Sequence, residues 1–328
     1  MNRLKKRYSK ILDWLESLNE NKIVPGLDRM QELMHYLGNP EKELEIIMIG
    51  GTNAKGSTCF SLNSTLTKVG IKTGCFTSPH LHSVRERILL GNELIPIEEF
   101  HAYLSKIKEI TTEFQIKPTY FEVLTAMAYH YFNSKNVDYA IMEIGLGGEW
   151  DAVNIGQARI AILTTLGLDH EEYLGNTLES IAITKSKIVK DKTVVITGWP
   201  KEYHKFIPPS WNFNYGKDIN DWIRYVLKIL KLDCPVDIIP IPGRYEIAGN
   251  FTLDTAHNTQ AIKFLMNKKG DYQKILIGIL KDKDIENIIC SFPKDCEVLV
   301  CNLETERSES SSKLNEICLK HGYQSESS

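Results

Sequence analysis

The stretch Gly50-Gly51-Thr52-Asn53-Ala54-Lys55-Gly56-Ser57-Thr58 constrains the fold of this chain more than any other. The apolar run 44–49 feeds into it. Behind it Cys59, Leu62, Leu66 and Val69 recur as on one face of a helix, and Gly70 offers a stop. A strand, a small-residue loop with one lysine and a helix together point backbone N–H groups and a helix N-terminus at an anion. Lys55 adds a full positive charge, and Ser57 or Thr58 offers a hydroxyl suited to Mg²⁺. The usual phosphate-loop spelling ends Gly-Lys-Ser/Thr, whereas the order here is Ala-Lys-Gly-Ser. A nucleotide-phosphate site is favoured over a plain glycine-rich turn.

Composition narrows the class. A chain of 328 residues can bury two cores, and its 42% hydrophobic and 25% charged content is that of a globular protein. A formal net charge of −3 gives no reason to expect a nucleic-acid partner. The basic cluster Arg3, Lys5, Lys6 and Arg7 reads as the solvated side of an amphipathic helix over 4–18, opposite Ile11, Leu12, Leu15 and Leu18. No apolar run reaches membrane-spanning length, and the N-terminus lacks the apolar core of a signal peptide. The seven cysteines are odd in number and contain no Cys-x-x-Cys pair, the pattern of reduced thiols without zinc or a disulfide framework. The cytoplasm and no membrane association are the expectation.

Apolar strand-like runs at 71–76, 137–142, 160–165 and 193–197 alternate with helical patterns at 121–133 and 178–189. Such alternation predicts an α/β fold: a doubly wound, mostly parallel sheet carrying the phosphate loop. Ligands in such sheets bind beyond the carboxyl ends of the strands. The phosphate loop, Ser78, Glu143 and Asp169-His170 all fall just after predicted strands and are expected on that one edge. Six prolines punctuate 200–242 before the pattern restarts. It runs through a strand at 251–254, a helix after His257, strands at 274–280 and 297–301, and helices near 284–290 and 313–320. A smaller Rossmann-like α/β domain is expected there, giving domains 1–241 and 242–328. The polar end, 324–328, is expected to fray.

Glu143 opens Glu-Ile-Gly-Leu-Gly-Gly-Glu-Trp-Asp-Ala-Val-Asn. A carboxylate at a strand end beside a phosphate loop suits Mg²⁺, and the glycines let backbone approach a ligand; a capped glycine-rich turn is the plainer alternative. A lone histidine usually satisfies a structural hydrogen bond, but the expected place of His170 favours metal binding. Lys185, on a predicted helix, reads by itself as a surface lysine. Arg244 in Pro-Gly-Arg-Tyr-Glu suits a phosphate, and Asp254, before Thr255-Ala256-His257-Asn258, suits a ribose or a bound water.

In order along the chain, these segments resemble the folylpolyglutamate synthase / dihydrofolate synthase family, relatives of the Mur peptide ligases. The resemblance begins at Gly26-Leu27-Asp28-Arg29 and Leu37-Gly38-Asn39-Pro40 and continues through the phosphate loop. Thr77-Ser78-Pro79-His80-Leu81, Glu86-Arg87-Ile88, Phe121-Glu122 with Leu124-Thr125, and the Glu143 segment follow. Asp169-His170, Ile181-Ala182 with Lys185, Pro-Gly-Arg, Asp254 with Ala256-His257-Asn258, and Asp282-Lys283-Asp284 complete it. It implies ATP-driven amide formation. A carboxylate of dihydropteroate, or of the terminal glutamate of a folate, would become an acyl phosphate that the amine of L-glutamate attacks.

By the same resemblance, Gly51, Thr52, Asn53, Lys55, Gly56, Ser57, Thr58, Arg244, Asp254 and His257 would bind ATP. Ser57, Ser78 and Glu143 would hold one Mg²⁺, and His170 a second. Lys185 would match a carbamylated lysine, and Thr119, Phe121 and Asp151 would contact the pterin. Lys55, Glu143, His170 and Lys185 would carry catalysis, and the protein would act as a monomer. Departures from the family pattern are Ala54 for a glycine, Glu149 for an arginine, Thr184 for a glutamate, Thr255 for a glycine, Val153 for a threonine, and a compressed 198–242. They keep two alternatives in play: a ligase for another carboxylic acid, and a nucleotide-binding homologue without turnover.

Overall fold

The computed structural model describes residues 2–20, 22–209, 212–268 and 272–327, with side chains from residue 10 onward; the side chains of the basic cluster lie outside that set. The chain forms two compact units, 1–166 with 182–239, and 167–181 with 240–328.

The first unit is built on one sheet of β1 (Ile46–Gly50), β2 (Thr73–Phe76), β3 (Ile88–Leu90), β4 (Glu93–Leu94), β5 (Tyr139–Glu143), β6 (Ala158–Leu163), β7 (Val194–Thr197) and β8 (Asn212–Tyr215). The spatial order is β4-β3-β2-β5-β1-β6-β7-β8. The pairs from β2 to β8 are parallel; β3 and β4 add an antiparallel edge. The central strand β1 reads Ile-Ile-Met-Ile-Gly and is buried at every position, as a strand covered on both faces must be.

Ile47 and Ile49 pack with Cys59, Leu62 and Leu66 of the helix Lys55–Lys68 and with Trp222, Ile223 and Val226 of the helix Ile219–Leu230. The other face takes the helix Tyr120–Ser134. There a Cβ on Gly74 would fall 2.3 Å from the Phe132 ring, and one on Gly156 would fall 2.5 Å from Ile46 Cδ1. Each apolar side chain buried this way stabilises by roughly 1.5–3 kcal/mol. Layers on both sides therefore hold the end of β1, and the loop that leaves it, in one place.

The helix Lys55–Lys68 also buries polar residues, because residues 236–239 run along it. Ser64 Oγ donates to Asp237 Oδ2 at 2.6 Å, the Asp237 N–H donates to Thr65 Oγ1 at 2.9 Å, and Lys68 pairs with Asp237 at 2.8 Å.

The second unit contains a hairpin of β9 (Glu246–Ala248) and β10 (Phe251–Leu253), and a parallel sheet β11-β12-β13 of Lys274–Ile277, Glu297–Val300 and Gln324–Ser327. Its core gathers Ile262, Ile279, Ile288, Ile289, Val298, Val300, Leu314 and Cys318. The strand expected at 251–254 forms the hairpin, turned by Gly249 at φ +61°. The expected fraying at 324–328 does not hold for 324–327, which form β13. Buried Tyr323 immediately precedes that strand, and its hydroxyl donates to Phe292 O at 3.1 Å. No helix among the described residues is long and apolar enough to cross a membrane.

Candidate active site

The loop after β1 is fastened to the end of β6. The Thr52 N–H donates to Thr165 O at 2.8 Å and the Asn53 N–H to Thr165 Oγ1 at 2.9 Å, while Thr164 Oγ1 donates to Asn53 O at 2.8 Å. Gly51, at φ +139°, lies so close that a Cβ would fall 2.0 Å from Thr164 Oγ1, so only glycine fits. Ala54 takes the N-cap position of the helix Lys55–Lys68 at φ +66°, the left-handed conformation that its replacement of glycine makes costly. Its methyl group cannot cap, so the helix N-terminus presents backbone donors.

Lys55 Nζ donates to Gly51 O at 3.1 Å and Thr52 O at 3.2 Å. Lys185 is buried, unlike the surface lysine its local sequence suggests, and its Nζ donates to the same Gly51 carbonyl at 3.0 Å. Two lysines 130 positions apart in the chain thus converge on one loop oxygen. Glu143, the buried last residue of β5, accepts the Ser78 N–H at 2.9 Å on Oε2. Its carboxylate lies over Gly56, where a Cβ would come within 3.6 Å of it. Ser57 is next in line, whereas the Thr58 hydroxyl is turned back to Ala54 O at 2.7 Å.

Thr119 caps the helix Tyr120–Ser134 in a reciprocal pair with Glu122, and Glu122 is held in turn by Arg29 at 2.9 Å. Phe121 packs against Phe76 and over Gly145, where a Cβ would fall 2.7 Å from its ring. Asp151 is buried and accepts the Leu146 N–H at 2.8 Å and the Val153 N–H at 2.9 Å, which shapes the glycine-rich turn. Burial pushes its carboxyl up to about 6, against those backbone donors and the Lys55 charge.

Asp169 and His170, expected with the phosphate loop, belong to the second unit. The Asp169 carboxylate accepts Lys283 Nζ at 2.8 Å and Asn258 Nδ2 at 3.3 Å, and faces Nε2 of His257 at 3.5 Å and of His170 at 3.8 Å. Burial would raise this carboxyl, but His257, His170 and Lys283 outweigh it and hold it well below the usual carboxylate range. Asp254 draws Arg244 and His257 into one region. Its carboxylate accepts the Tyr245 and Ala256 N–H groups, each at 2.7 Å, so the residues after Arg244 and before His257 share one anchor. Arg244 and His257 are exposed.

Sequence reasoning passed over Thr164, Thr165 and Lys283 as site residues. The paired threonines that end the predicted strand 160–165 were a usable signal, and Lys283 stood in the Asp282-Lys283-Asp284 motif with no role attached to it.

Residues 49–207 match the Mur ligase middle domain. The dihydrofolate synthase/folylpolyglutamate synthase of Bacillus subtilis is 37% identical over 196 residues, which cover 58% of this chain and 45% of that protein. The aligned part thus spans under half the length of that relative. Among solved structures, E. coli FolC in complex with DHPP and ADP superposes with a TM-score of 0.88 at 25% identity, covering 98% of this chain and 88% of that one. A bifunctional folylpolyglutamate synthase/dihydrofolate synthase with Mn, AMPPNP and L-glutamate bound gives 0.83 at 25% identity, covering 97% and 89%. With the ordered motifs and the loop geometry, these likenesses make the chain similar to folylpolyglutamate synthase / dihydrofolate synthase proteins in sequence and in fold, with a Mur ligase middle domain over residues 49–207.

Proposed function

We propose that the chain is an ATP-dependent ligase that joins L-glutamate to dihydropteroate, to the terminal glutamate of a folate, or to both, releasing ADP and phosphate. The observation that carries this reading is the convergence of Lys55 and Lys185 on Gly51 O, at a helix N-terminus over which the Glu143 carboxylate lies. The ligands of the solved relatives, a nucleotide with DHPP in one and with L-glutamate in the other, support it.

A carboxylate is a poor electrophile until one of its oxygens becomes a leaving group. Transfer of the γ-phosphoryl group of ATP to that oxygen gives an acyl phosphate. The glutamate amine then attacks the carbonyl carbon, and phosphate departs with the electrons of the C–O bond. Negative charge builds on phosphoryl oxygens, where loop N–H groups and the Lys55 ammonium stabilise it. Lys55 holds neutral carbonyls of its own loop, and a phosphate oxygen is the stronger acceptor.

Ser57, Ser78 and Glu143 would offer Mg²⁺ the oxygen donors it prefers, and close approach at Gly56 leaves the Glu143 carboxylate beside the helix start. Bound there, Mg²⁺ supplies neutralisation of phosphate charge. His170 offers a nitrogen donor for a second ion. Lys185 is the site for carbamylation, in which its amine adds to CO₂ with loss of a proton. Arg244, Asp254 and His257 serve the nucleotide, and Thr119, Phe121 and Asp151 serve the pterin. All seven cysteines are free thiols, which suits work in the cytoplasm; the chain is taken to act as a monomer.

The test is ADP formation with Mg²⁺-ATP and L-glutamate, with dihydropteroate, tetrahydrofolate or neither, and product identification by mass. ADP with a product one glutamate heavier is expected. A second reading, the same chemistry on another acid, draws on Glu149 where the family carries arginine. ADP release with a different acid alone would select it, and nucleotide binding without any amide product would overturn both.

A further inference from the structure

The carboxylate of Asp169 is the most heavily engaged acid among the described residues of the second unit. Its side chain is only 5% exposed. Oδ1 accepts Lys283 Nζ at 2.8 Å and the His170 backbone N–H at 3.0 Å; Oδ2 accepts the Asn258 amide at 3.3 Å and faces two imidazoles. Each partner is held from behind. Asn258 Oδ1 accepts the Ala261 N–H at 2.9 Å at the start of the helix Thr259–Lys268, which fixes the direction of its amide. The His257 ring is held through Nδ1 against Thr255 O at 2.9 Å. His170 stands in the left-handed region at φ +53°, a conformation that must be maintained from outside the residue.

Lys283 is what makes this arrangement affordable. Its side chain is 7% exposed, and a buried ammonium is tolerated only beside an anion. Asp282, the other acid near it at 3.5 Å, is taken up by Arg307 at 3.0 Å. Lys283 is therefore committed to Asp169. It also lies 114 positions away in the sequence, so the bond ties the excursion 167–181 to the body of the second unit.

We propose that Lys283 is a positioning residue: by holding Asp169 it sets the orientation of the His170 and His257 imidazoles and the path of residues 167–181. It acts through Asp169 and touches no reacting group. The catalytic part of this proposal rests on the ligase reading; the structural part does not.

The experiment compares Lys283→Met, Lys283→Arg and the double variant Asp169→Asn/Lys283→Met in the full chain. It follows thermal unfolding, hydrogen exchange of the 167–181 amides, and kcat and KM for ATP. In Lys283→Met, exchange at 167–181 rises while the phosphate loop keeps its protection. Its kcat falls about 10- to 100-fold, the scale of an ångström-sized misplacement, and KM for ATP moves less than about 3-fold. Lys283→Arg recovers part of both effects. The double variant removes the unpaired buried charge, so it regains stability without regaining kcat, and it stands in where the single variant does not fold.

Unchanged exchange at 167–181 in Lys283→Met overturns the proposal. So does a double variant that restores kcat together with stability, which would leave Lys283 a charge-balancing role only. If the wild-type protein forms no amide with any acid, the ligase reading fails and the exchange measurement alone decides this inference.

Discussion

The two units fix their candidate residues by different means. In the first, the phosphate loop leaves a strand whose residues Ile46–Ile49 are fully buried, and backbone and threonine hydrogen bonds fasten it to the neighbouring strand. In the second, whose parallel sheet has three strands, Asp169 and Asp254 hold their neighbours through polar networks. Large side chains there remain in water: Phe251 is 71% exposed, Phe264 69% and Leu276 67%. A loop that must present backbone donors at fixed positions gains from a rigid, doubly covered scaffold. A site made of long side chains needs only anchored side-chain heads, and a thinner core suffices.

Four expectations press on this contrast. The largest concerns Lys55, whose ammonium donates to two carbonyls of its own loop. Lys55→Met should lower turnover about 10²- to 10³-fold while leaving the melting temperature in place; steady-state kinetics beside a thermal scan checks this. A lysine needed for folding would lower both.

Next is packing tolerance. Gly51→Ala would drive a Cβ to 2.0 Å from Thr164 Oγ1, and should cost about 2–4 kcal/mol in denaturant unfolding. Phe251→Ser in the second unit should change stability by no more than about 0.5 kcal/mol. Equal costs would remove the distinction between the units.

A third expectation uses one buried aspartate from each unit. The Asp151 carboxyl, raised by burial from 3.8 to about 6, binds its proton more tightly in the folded state. Its contribution to stability therefore falls as pH rises between those values, by an amount on the order of 3 kcal/mol. Asp169, held low by its cations, does the opposite: its contribution is present above the ordinary carboxylate pKa and is lost as pH falls through its depressed value. Wild type minus Asp151→Asn and wild type minus Asp169→Asn, followed by unfolding at several pH values, should slope in opposite directions.

The smallest effect is local. Ala54→Gly relieves a left-handed alanine at φ +66° and should stabilise by about 1 kcal/mol, read as a higher denaturant midpoint at constant slope. A loss of stability instead would show that the alanine methyl, which packs at the edge of the core, outweighs the strain.

The strands and helices around the phosphate loop were legible in the sequence because burial on both faces leaves long apolar runs, such as 44–49, most of which becomes β1. Glu143 and Ser78 were legible for the same reason, since each stands at a strand end. Three features were not. The antiparallel edge β3–β4 is short and lacks a long apolar run, and the polar 324–327 reads as a tail although it pairs with β12. Asp169-His170 follows a strand of the first unit in sequence, and its buried partner Lys283 lies 114 positions further on, so its membership of the second unit was not legible locally.

By itself, the sequence determined the α/β class, the position of the phosphate loop and the identity of its lysine, because apolar periodicity and small-residue turns act over a few neighbouring residues. Only the tertiary structure decided that Lys185 joins Lys55 on one carbonyl, that Thr164 and Thr165 brace the loop, and that Lys283 holds Asp169. Those contacts join residues more than a hundred positions apart. Their free energy depends on burial and on the partner's charge, and neither is written in the residues adjacent to them.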